Sequence, residues 1–331
     1  MRWGILGPGR IARAFLTGLA GSATEAAVAV GSRDVGRAKL VADEFGVPRA
    51  YGSYEELLSD GQVDAVYVAL PNALHAEWSA AAAAAGRHVL CEKPLGGSAA
   101  EAEAMFGAAQ EHGVLLMEAF MYRFHPRTIR LAELVRAGEI GEVRLVRASF
   151  GFTVTDTANV RLSPELGGGA LMDVGCYPVS VARLLAGPPA AVTAVARWAE
   201  TGVDETLAGT VDHAGGAVSQ VSCSLDSSHH HTLQVIGSDG LIDVPEAFTP
   251  PKERPSRMVV TRGARFGEVE ELTFDPVDQY TAEAEGFARL VEAGQEAADG
   301  LPQVPSRESL DNAATIEALL TSARESRPVR L

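Results

Sequence analysis

Five short apolar runs, at residues 2–6, 26–31, 64–70, 88–91 and 114–117, recur along the first part of the chain with helix-like stretches between them. Strands this uniformly apolar are buried on both faces, and a helix between successive strands is what lets the next one run parallel. The intervening helices are predicted at 11–19, 35–45, 54–58, 74–85 and 99–112, with Gly21, Gly46, Gly61, Gly86 and Gly113 just past their ends as stop signals. The pattern is that of a doubly wound α/β domain.

After Met121-Tyr122-Arg123-Phe124-His125-Pro126 the pattern changes. One helix at 128–137 leads into strands predicted at 143–152, 191–198, 206–213, 218–224, 232–236 and 241–244, joined by turns such as Ala214-Gly215-Gly216 and Gly237-Ser238-Asp239-Gly240. That punctuation belongs to a large, mostly antiparallel sheet. Pro245, Pro250, Pro251 and Pro255 mark a loop, since each removes a ladder donor. Helices at about 281–293 and 309–325 close the chain. The expected division is an α/β domain over residues 1–122 and an α+β domain with an open-faced sheet over 123–331.

Composition excludes several kinds of partner. Forty-three acidic against twenty-eight basic side chains give a net charge of −15, which repels nucleic acid and anionic membranes. Cys91, Cys176 and Cys223 are too scattered for a disulfide framework or for zinc-ligand spacing, so a reducing cytoplasm is expected. The first apolar run stops at Gly7-Pro8-Gly9, before a signal-peptide core, and no window approaches roughly eighteen apolar residues. His229-His230-His231 offers at most two side chains on one face of a strand, too few for zinc, so no metal is expected.

Gly7, Gly9 and Ala12 follow the first strand at the spacing of the dinucleotide fingerprint and open a helix. Small residues there allow a tight turn, and the backbone at Arg10 and Ile11 can meet a pyrophosphate. At the end of the second strand the chain reads Gly31-Ser32-Arg33-Asp34. Ser32 stands where an acidic side chain would bond the ribose 2′-hydroxyl, and Arg33, with Arg37 one turn later, suits a 2′-phosphate. NADP is therefore expected ahead of NAD. If the strand runs a residue or two longer, Asp34 becomes the ribose ligand and the arginines are solvated helix-start residues.

The candidate reaction site is Gly167-Gly168-Gly169-Ala170-Leu171-Met172-Asp173-Val174-Gly175-Cys176-Tyr177-Pro178. In a helix Asp173 and Tyr177 project from one face, so a carboxylate and a phenol share a site. The glycines provide an entry where backbone can approach a ligand. A helix cap and a core aromatic are the structural alternatives for that pair. Lys93 follows the fourth strand and is confined by Pro94 to extended conformations.

Taken with Gly7-Pro8-Gly9-Arg10-Ile11-Ala12, Glu92-Lys93-Pro94 and Met117-Glu118-Ala119-Phe120-Met121-Tyr122-Arg123-Phe124-His125-Pro126, this segment resembles the glucose-fructose oxidoreductase, inositol dehydrogenase and rhizopine-catabolism (Gfo/Idh/MocA) family over nearly the whole chain. Tyrosine four residues after the aspartate, where histidine is commoner, is similar to the branch containing D-xylose dehydrogenase and dimeric dihydrodiol dehydrogenase. The resemblance implies a Rossmann domain over 1–122 and a substrate-binding and association domain over 123–331. It puts Leu70, Pro71, Asn72, His75 and Glu92-Lys93 beside the cofactor, although His75 as a backbone-bonded helix-start residue is an equal reading. It implies an NADP-dependent dehydrogenase of a sugar or polyol, an aldose ahead of a keto-deoxysugar or a trans-dihydrodiol. Tyr177 would exchange the hydroxyl proton with help from the Lys93 ammonium, and Asp173 would orient the substrate hydroxyl or the lysine. The Lys93-Pro94 bond is often cis in such proteins.

Arg123, His125 and Arg161 line the sugar pocket on this reading or serve as interdomain ties. Association as a homodimer or homotetramer through the open sheet is expected. Two other classes stay open. A sensor of NADP(H) would have no need of a proton-transfer group, and a purely structural assembly protein would leave the glycine loop without a purpose.

Overall fold

The computed structural model describes residues 1–265, 267–294 and 303–331. The early apolar runs form one parallel sheet from β1 (Arg2–Leu6), β2 (Ala26–Gly31), β3 (Arg49–Tyr51), β4 (Ala65–Val68), β5 (His88–Glu92) and β6 (Leu116–Ala119), in the order β3-β2-β1-β4-β5-β6. The order reverses between β1 and β4, the switch point at which open α/β sheets bind ligands. Helices α1 (Arg10–Ala20), α2 (Val35–Phe45), α3 (Tyr54–Leu58), α4 (His75–Ala84) and α5 (Ala99–Glu111) separate the strands. Asp34, Ser53 and Ser98 cap α2, α3 and α5, each accepting from first-turn N–H groups. Strand β3 was not expected: its three residues are half-buried and carry no apolar run.

Among the described residues the other sheet has nine strands. The chain enters through α6 (Pro126–Arg136) and β7 (Val143–Gly151), continues through α7 (Cys176–Ala186), and runs on as β8 (Pro189–Trp198), β9 (Asp204–His213), β10 (Val218–Ser224), β11 (His230–Gly237), β12 (Gly240–Pro245), β13 (Ser256–Arg262) and β14 (Glu268–Phe274). After α8 (Gln279–Ala293), α9 (Ser306–Glu325) and β15 (Val329–Arg330) complete the order β14-β13-β12-β11-β7-β10-β9-β8-β15. Every neighbouring pair is antiparallel except β7 with β10. Strands β13 and β14 were also not expected, because β14 reads Glu-Val-Glu-Glu-Leu-Thr-Phe with its glutamates exposed and β13 follows the proline loop. Helices α7 and α9 cover one face, with Leu319 of α9 against Gly209 and the Ser322 hydroxyl accepting from the Ala194 N–H at 3.0 Å. The opposite face carries Arg147, Thr193, Val195, Gln220 and Gln234 around a depression of about 950 Å³. Among the described residues no helix is long and apolar enough to cross a membrane.

The domain division differs from a single break at 122/123. One compact unit is Met1–His125 with Asp278–Ser306, and the other is Pro126–Val277 with Arg307–Leu331. Helix α8 thus belongs with the parallel sheet, where Phe287 lies 5.5 Å from Trp3, and Trp3 meets Phe15 edge-on at 5.2 Å. An amphipathic helix records in its sequence that one face is covered but not by which domain, so α8 could not be assigned in advance.

The α1–α8 contact is made through Gly18. A Cβ there would lie 2.6 Å from Tyr280 Cβ and 2.9 Å from the Thr281 backbone nitrogen. Gly18→Ala gains about 1 kcal/mol of helix propensity but forces apart two helices whose colliding atoms are largely backbone, at a cost of about 1–3 kcal/mol. A lower urea midpoint is expected; a midpoint at or above that of the wild type would show that the helices can separate freely.

Candidate active site

The glycine loop after β1 uses its two glycines differently. Gly7 has φ +93°, and a Cβ there would stand 2.8 Å from the Ala69 carbonyl oxygen, so both backbone and packing require glycine. Gly9 is extended, with φ −78°, and a Cβ would meet only that same oxygen at 4.0 Å. Among the described residues nothing demands glycine at position 9; its missing side chain leaves open space before the start of α1. That helix has no side-chain cap, so the first-turn N–H groups of Arg10 and Ile11 face that opening. An uncapped helix start behind a bare glycine fits the pyrophosphate of a dinucleotide.

At the end of β2, Ser32 is buried and its hydroxyl accepts from the Asp34 N–H at 3.3 Å. Asp34 is engaged as the cap of α2, Oδ1 accepting from the N–H groups of Gly36 at 2.8 Å and Arg37 at 3.3 Å. The structure thus places that carboxylate just past β2, at the start of a helix. Arg33 and Arg37 are exposed and both act on the Tyr54 phenol, Arg33 by a hydrogen bond as well. Burial raises the Tyr54 phenol, and the two guanidinium groups oppose that rise. Two cations therefore converge beyond β2, an arrangement suited to a phosphate.

The loops after β4 and β5 are tied together by His75. Its ring is fully buried, with Nε2 2.9 Å from the Leu70 carbonyl oxygen and Nδ1 2.9 Å from that of Pro94. Burial lowers its pKa and the two carbonyls oppose that. His75 thus meets backbone, as its alternative reading held, and links Leu70-Pro71-Asn72 to Lys93-Pro94. The Lys93-Pro94 peptide is cis, and the half-buried Lys93 donates its N–H to Glu92 Oε2 at 3.2 Å. The Glu92 carboxylate also accepts from the Tyr67 hydroxyl. Glu283 of α8, which sequence reasoning did not single out, is fully buried, and burial followed by the Glu92 charge raises its carboxyl well above the usual range. Arg123 is buried and donates to the Gln303 carbonyl at 2.9 Å, and His125 is fully buried; both belong to this first unit.

In the second unit the glycine run serves a purpose different from the one expected. A Cβ on Gly168 would lie 2.5 Å from the Arg161 carbonyl oxygen, and the Gly169 N–H donates to that oxygen at 2.8 Å. Gly169 has φ +121° and faces Asp204. The backbone approached there is the chain's own. A π-helical turn, Leu171–Gly175, follows and passes into α7. Pro178 has no N–H for the carbonyl four residues back, and the turn before it is widened, a distortion common at functional sites.

Asp173 and Arg161, two of the candidates, are in direct contact: Arg161 Nε donates to Asp173 Oδ2 at 2.5 Å, while the guanidinium lies 5.6 Å from the Phe152 ring centre. Tyr177 is 5% exposed, with its ring 5.4 Å from those of both Phe150 and Phe248. The turn itself is anchored by Asp204, another residue not foreseen, whose Oδ2 accepts from the Leu171 N–H at 2.7 Å. Of the histidine run, His229 and His231 share a side with rings 5.1 Å apart, while His230 is bonded to Ser149 and Ser228. No group of three or more His, Cys, Asp or Glu among the described residues is arranged to hold a metal.

Two family models match the chain. One, described as oxidoreductase family, NAD-binding Rossmann fold, covers residues 1–120; the other, the GFO/IDH/MocA C-terminal domain, covers residues 128–243. The chain is 45% identical over 334 residues to D-xylose 1-dehydrogenase (NADP(+)) 2 of Haloferax volcanii, with 100% of both chains covered. It is 39% identical to trans-1,2-dihydrobenzene-1,2-diol dehydrogenase of Mus musculus over 76% of each chain. Among solved structures, a 3-ketoreductase from Actinomadura kijaniata in complex with NADP and TDP-benzene superposes with TM-score 0.88 at 33% identity, 97% of each chain being covered. An aldose-aldose oxidoreductase from Caulobacter crescentus complexed with glycerol gives 0.90 at 30% identity, with 100% of this chain and 99% of the other covered.

Asp204 makes the anchoring of the turn dependent on pH. Burial pushes its carboxyl from 3.8 up to about 6, against the opposing Leu171 N–H. The folded protein therefore holds this proton more tightly than the unfolded chain, and that contribution is complete below about pH 4 and lost as pH rises past about 6. Asp204→Asn keeps an acceptor for Leu171 without the buried charge. In urea titrations it should match the wild type near pH 3 and exceed it by up to ~3 kcal/mol at pH 8. A difference that does not vary with pH would exclude Asp204 as the titrating group.

Proposed function

This chain belongs to the GFO/IDH/MocA family of oxidoreductases, and we propose that the protein is an NADP-dependent dehydrogenase that oxidises an aldose such as D-xylose or glucose at C1. The observation that carries this reading is the uncapped, glycine-fronted start of α1, with the Arg33 and Arg37 guanidinium groups beyond β2, in a chain that also bears the Asp173–Tyr177 turn. End-to-end likeness to an NADP-dependent xylose dehydrogenase supports both the cofactor and the substrate class.

When bound, NADP supplies the hydride acceptor. The first-turn N–H groups of α1 would hold the diphosphate, Arg33 and Arg37 would hold the 2′-phosphate, and Leu70, Pro71, Asn72, Glu92 and Lys93 would lie beside the cofactor. Tyr177 takes the substrate's hydroxyl proton, and the Lys93 ammonium favours its phenolate, a step typically worth about 100- to 10,000-fold. Asp173, fixed by Arg161, orients the substrate. The same groups serve reduction, and the likeness to a 3-ketoreductase supports a keto-deoxysugar as the second reading.

The enzyme is read as cytoplasmic and as a dimer or tetramer associating through the open sheet face, where Val195 is 70% exposed. Light scattering on the eluting protein should give a multiple of the 34.7 kDa chain; a single species at that mass would overturn the association.

The catalytic reading is tested by following NADP+ reduction against aldoses, deoxysugars, inositols and dihydrodiols. Lys93→Ala and Tyr177→Phe should each lower turnover at least ~100-fold while NADPH binding by fluorescence stays intact. Arg33→Ala should weaken NADP far more than NAD. Wild-type turnover in either catalytic variant removes the assignment, and NADPH binding with no turnover on any substrate favours a sensor.

A further inference from the structure

Two buried polar side chains not used in the reaction proposed above converge on one short segment, residues 245–249. The Arg127 guanidinium of α6 is 1% exposed; Nη1 donates to the Pro245 carbonyl at 2.9 Å, and Nη2 donates to those of Glu246 at 2.6 Å and Ala247 at 3.1 Å. Burial lowers its pKa to about 10, which leaves it charged at neutral pH. From β11, the His231 Nδ1 accepts from the Phe248 N–H at 3.3 Å. A neutral ring then carries its proton on Nε2, which donates to the Thr249 hydroxyl at 3.0 Å. The His231 carbonyl also accepts from the Ala247 N–H at 3.0 Å. Between these two clamps Glu246 sits at φ +49°, a left-handed conformation that persists where its surroundings enforce it.

What the clamped segment delivers is Phe248. Its fully buried ring stacks on Phe150 with centres 5.7 Å apart and planes at 15°, and lies 5.4 Å from Tyr177. Since Phe150 is also 5.4 Å from Tyr177, the three rings form a nearly equilateral triangle with the phenol at one corner. His231 backs this triangle, 5.2 Å from Phe150. Side chains this closely packed have few rotamers open to them, and proton transfer is sensitive to displacements of about an ångström.

We infer that Arg127 and His231 are positioning residues for proton transfer, clamping residues 245–249 so that Phe248 and Phe150 fix the orientation of the Tyr177 ring. This rests on the assignment of Tyr177 as the proton-transfer group. The role differs from fold maintenance in its kinetic signature: the clamp acts on the reacting phenol, so its loss lowers kcat and makes the proton step more rate-limiting.

Asparagine and glutamine separate the two ring nitrogens of His231. His231→Asn can place an amide oxygen near Nδ1 and keep the acceptor for Phe248, whereas His231→Gln reaches towards the Nε2 position and abandons it. Steady-state kinetics should show His231→Asn within ~3-fold of the wild-type kcat. His231→Gln should fall at least ~30-fold, with KM and NADPH affinity within ~3-fold and a larger solvent deuterium isotope effect on kcat. Phe248→Leu, which leaves both clamps intact, should show the same kcat loss and isotope effect. Wild-type kcat in His231→Gln and Phe248→Leu, with Tyr177→Phe inactive, would overturn the clamp and leave the catalytic assignment standing. An active Tyr177→Phe would instead overturn the assignment, and the clamp's role with it.

Discussion

Backbone groups buried outside a helix or strand ladder need partners, and both units meet that need with side chains sealed from water. Leu70 and Pro94 offer carbonyls to His75, and the Leu95 N–H donates to Glu118 at 3.0 Å. The Leu171 N–H finds Asp204, and the 245–249 segment finds Arg127 and His231. In each case the segment so held carries or borders a candidate functional group. A loop that must present chemistry to a ligand cannot use all its own backbone groups in regular structure, so its shape is set from beneath by polar side chains. An unpaired buried group costs about 1–3 kcal/mol, so each tether strongly restricts where its loop can lie.

This division explains what could be read from the sequence. The parallel strands were legible because each is a compact apolar run ended by a glycine or a cap, signals contained within a few residues. Lys93, Asp173 and Tyr177 could be singled out as candidates because the motifs that hold them are local too. Asp204, Arg127 and His231 were not: their partners lie 33, 118 and 17 residues away and are main-chain atoms, which leave no mark in side-chain pattern. The three-glycine run was visible, but its partner was misjudged, since the sequence records that something approaches closely and not that it is Arg161. Strands β3 and β14 lack the apolar alternation that a half-buried sheet usually writes into its residues.

The charge of the chain bears on the two arginines beyond β2. A protein of net charge −15 repels a dinucleotide phosphate at long range. At physiological salt that repulsion is screened beyond about 8 Å, so the local arrangement decides. Arg33 and Arg37 just beyond β2 place two positive charges together there, and the acidic remainder of the surface keeps the protein dispersed.

The interleaved order of the two units also has a consequence for biosynthesis. Residues 1–125 emerge from the ribosome first and contain the whole parallel sheet, but Phe287, which packs against Trp3, comes after all of the strands β7 to β14. At ordinary elongation rates the indole waits on the order of tens of seconds for that neighbour. During that interval the nascent first unit keeps an apolar flank uncovered, an opening for holdase chaperones and for misassembly between neighbouring chains on one messenger. A gene fragment ending at the apparent boundary after His125 would carry the same exposed flank permanently.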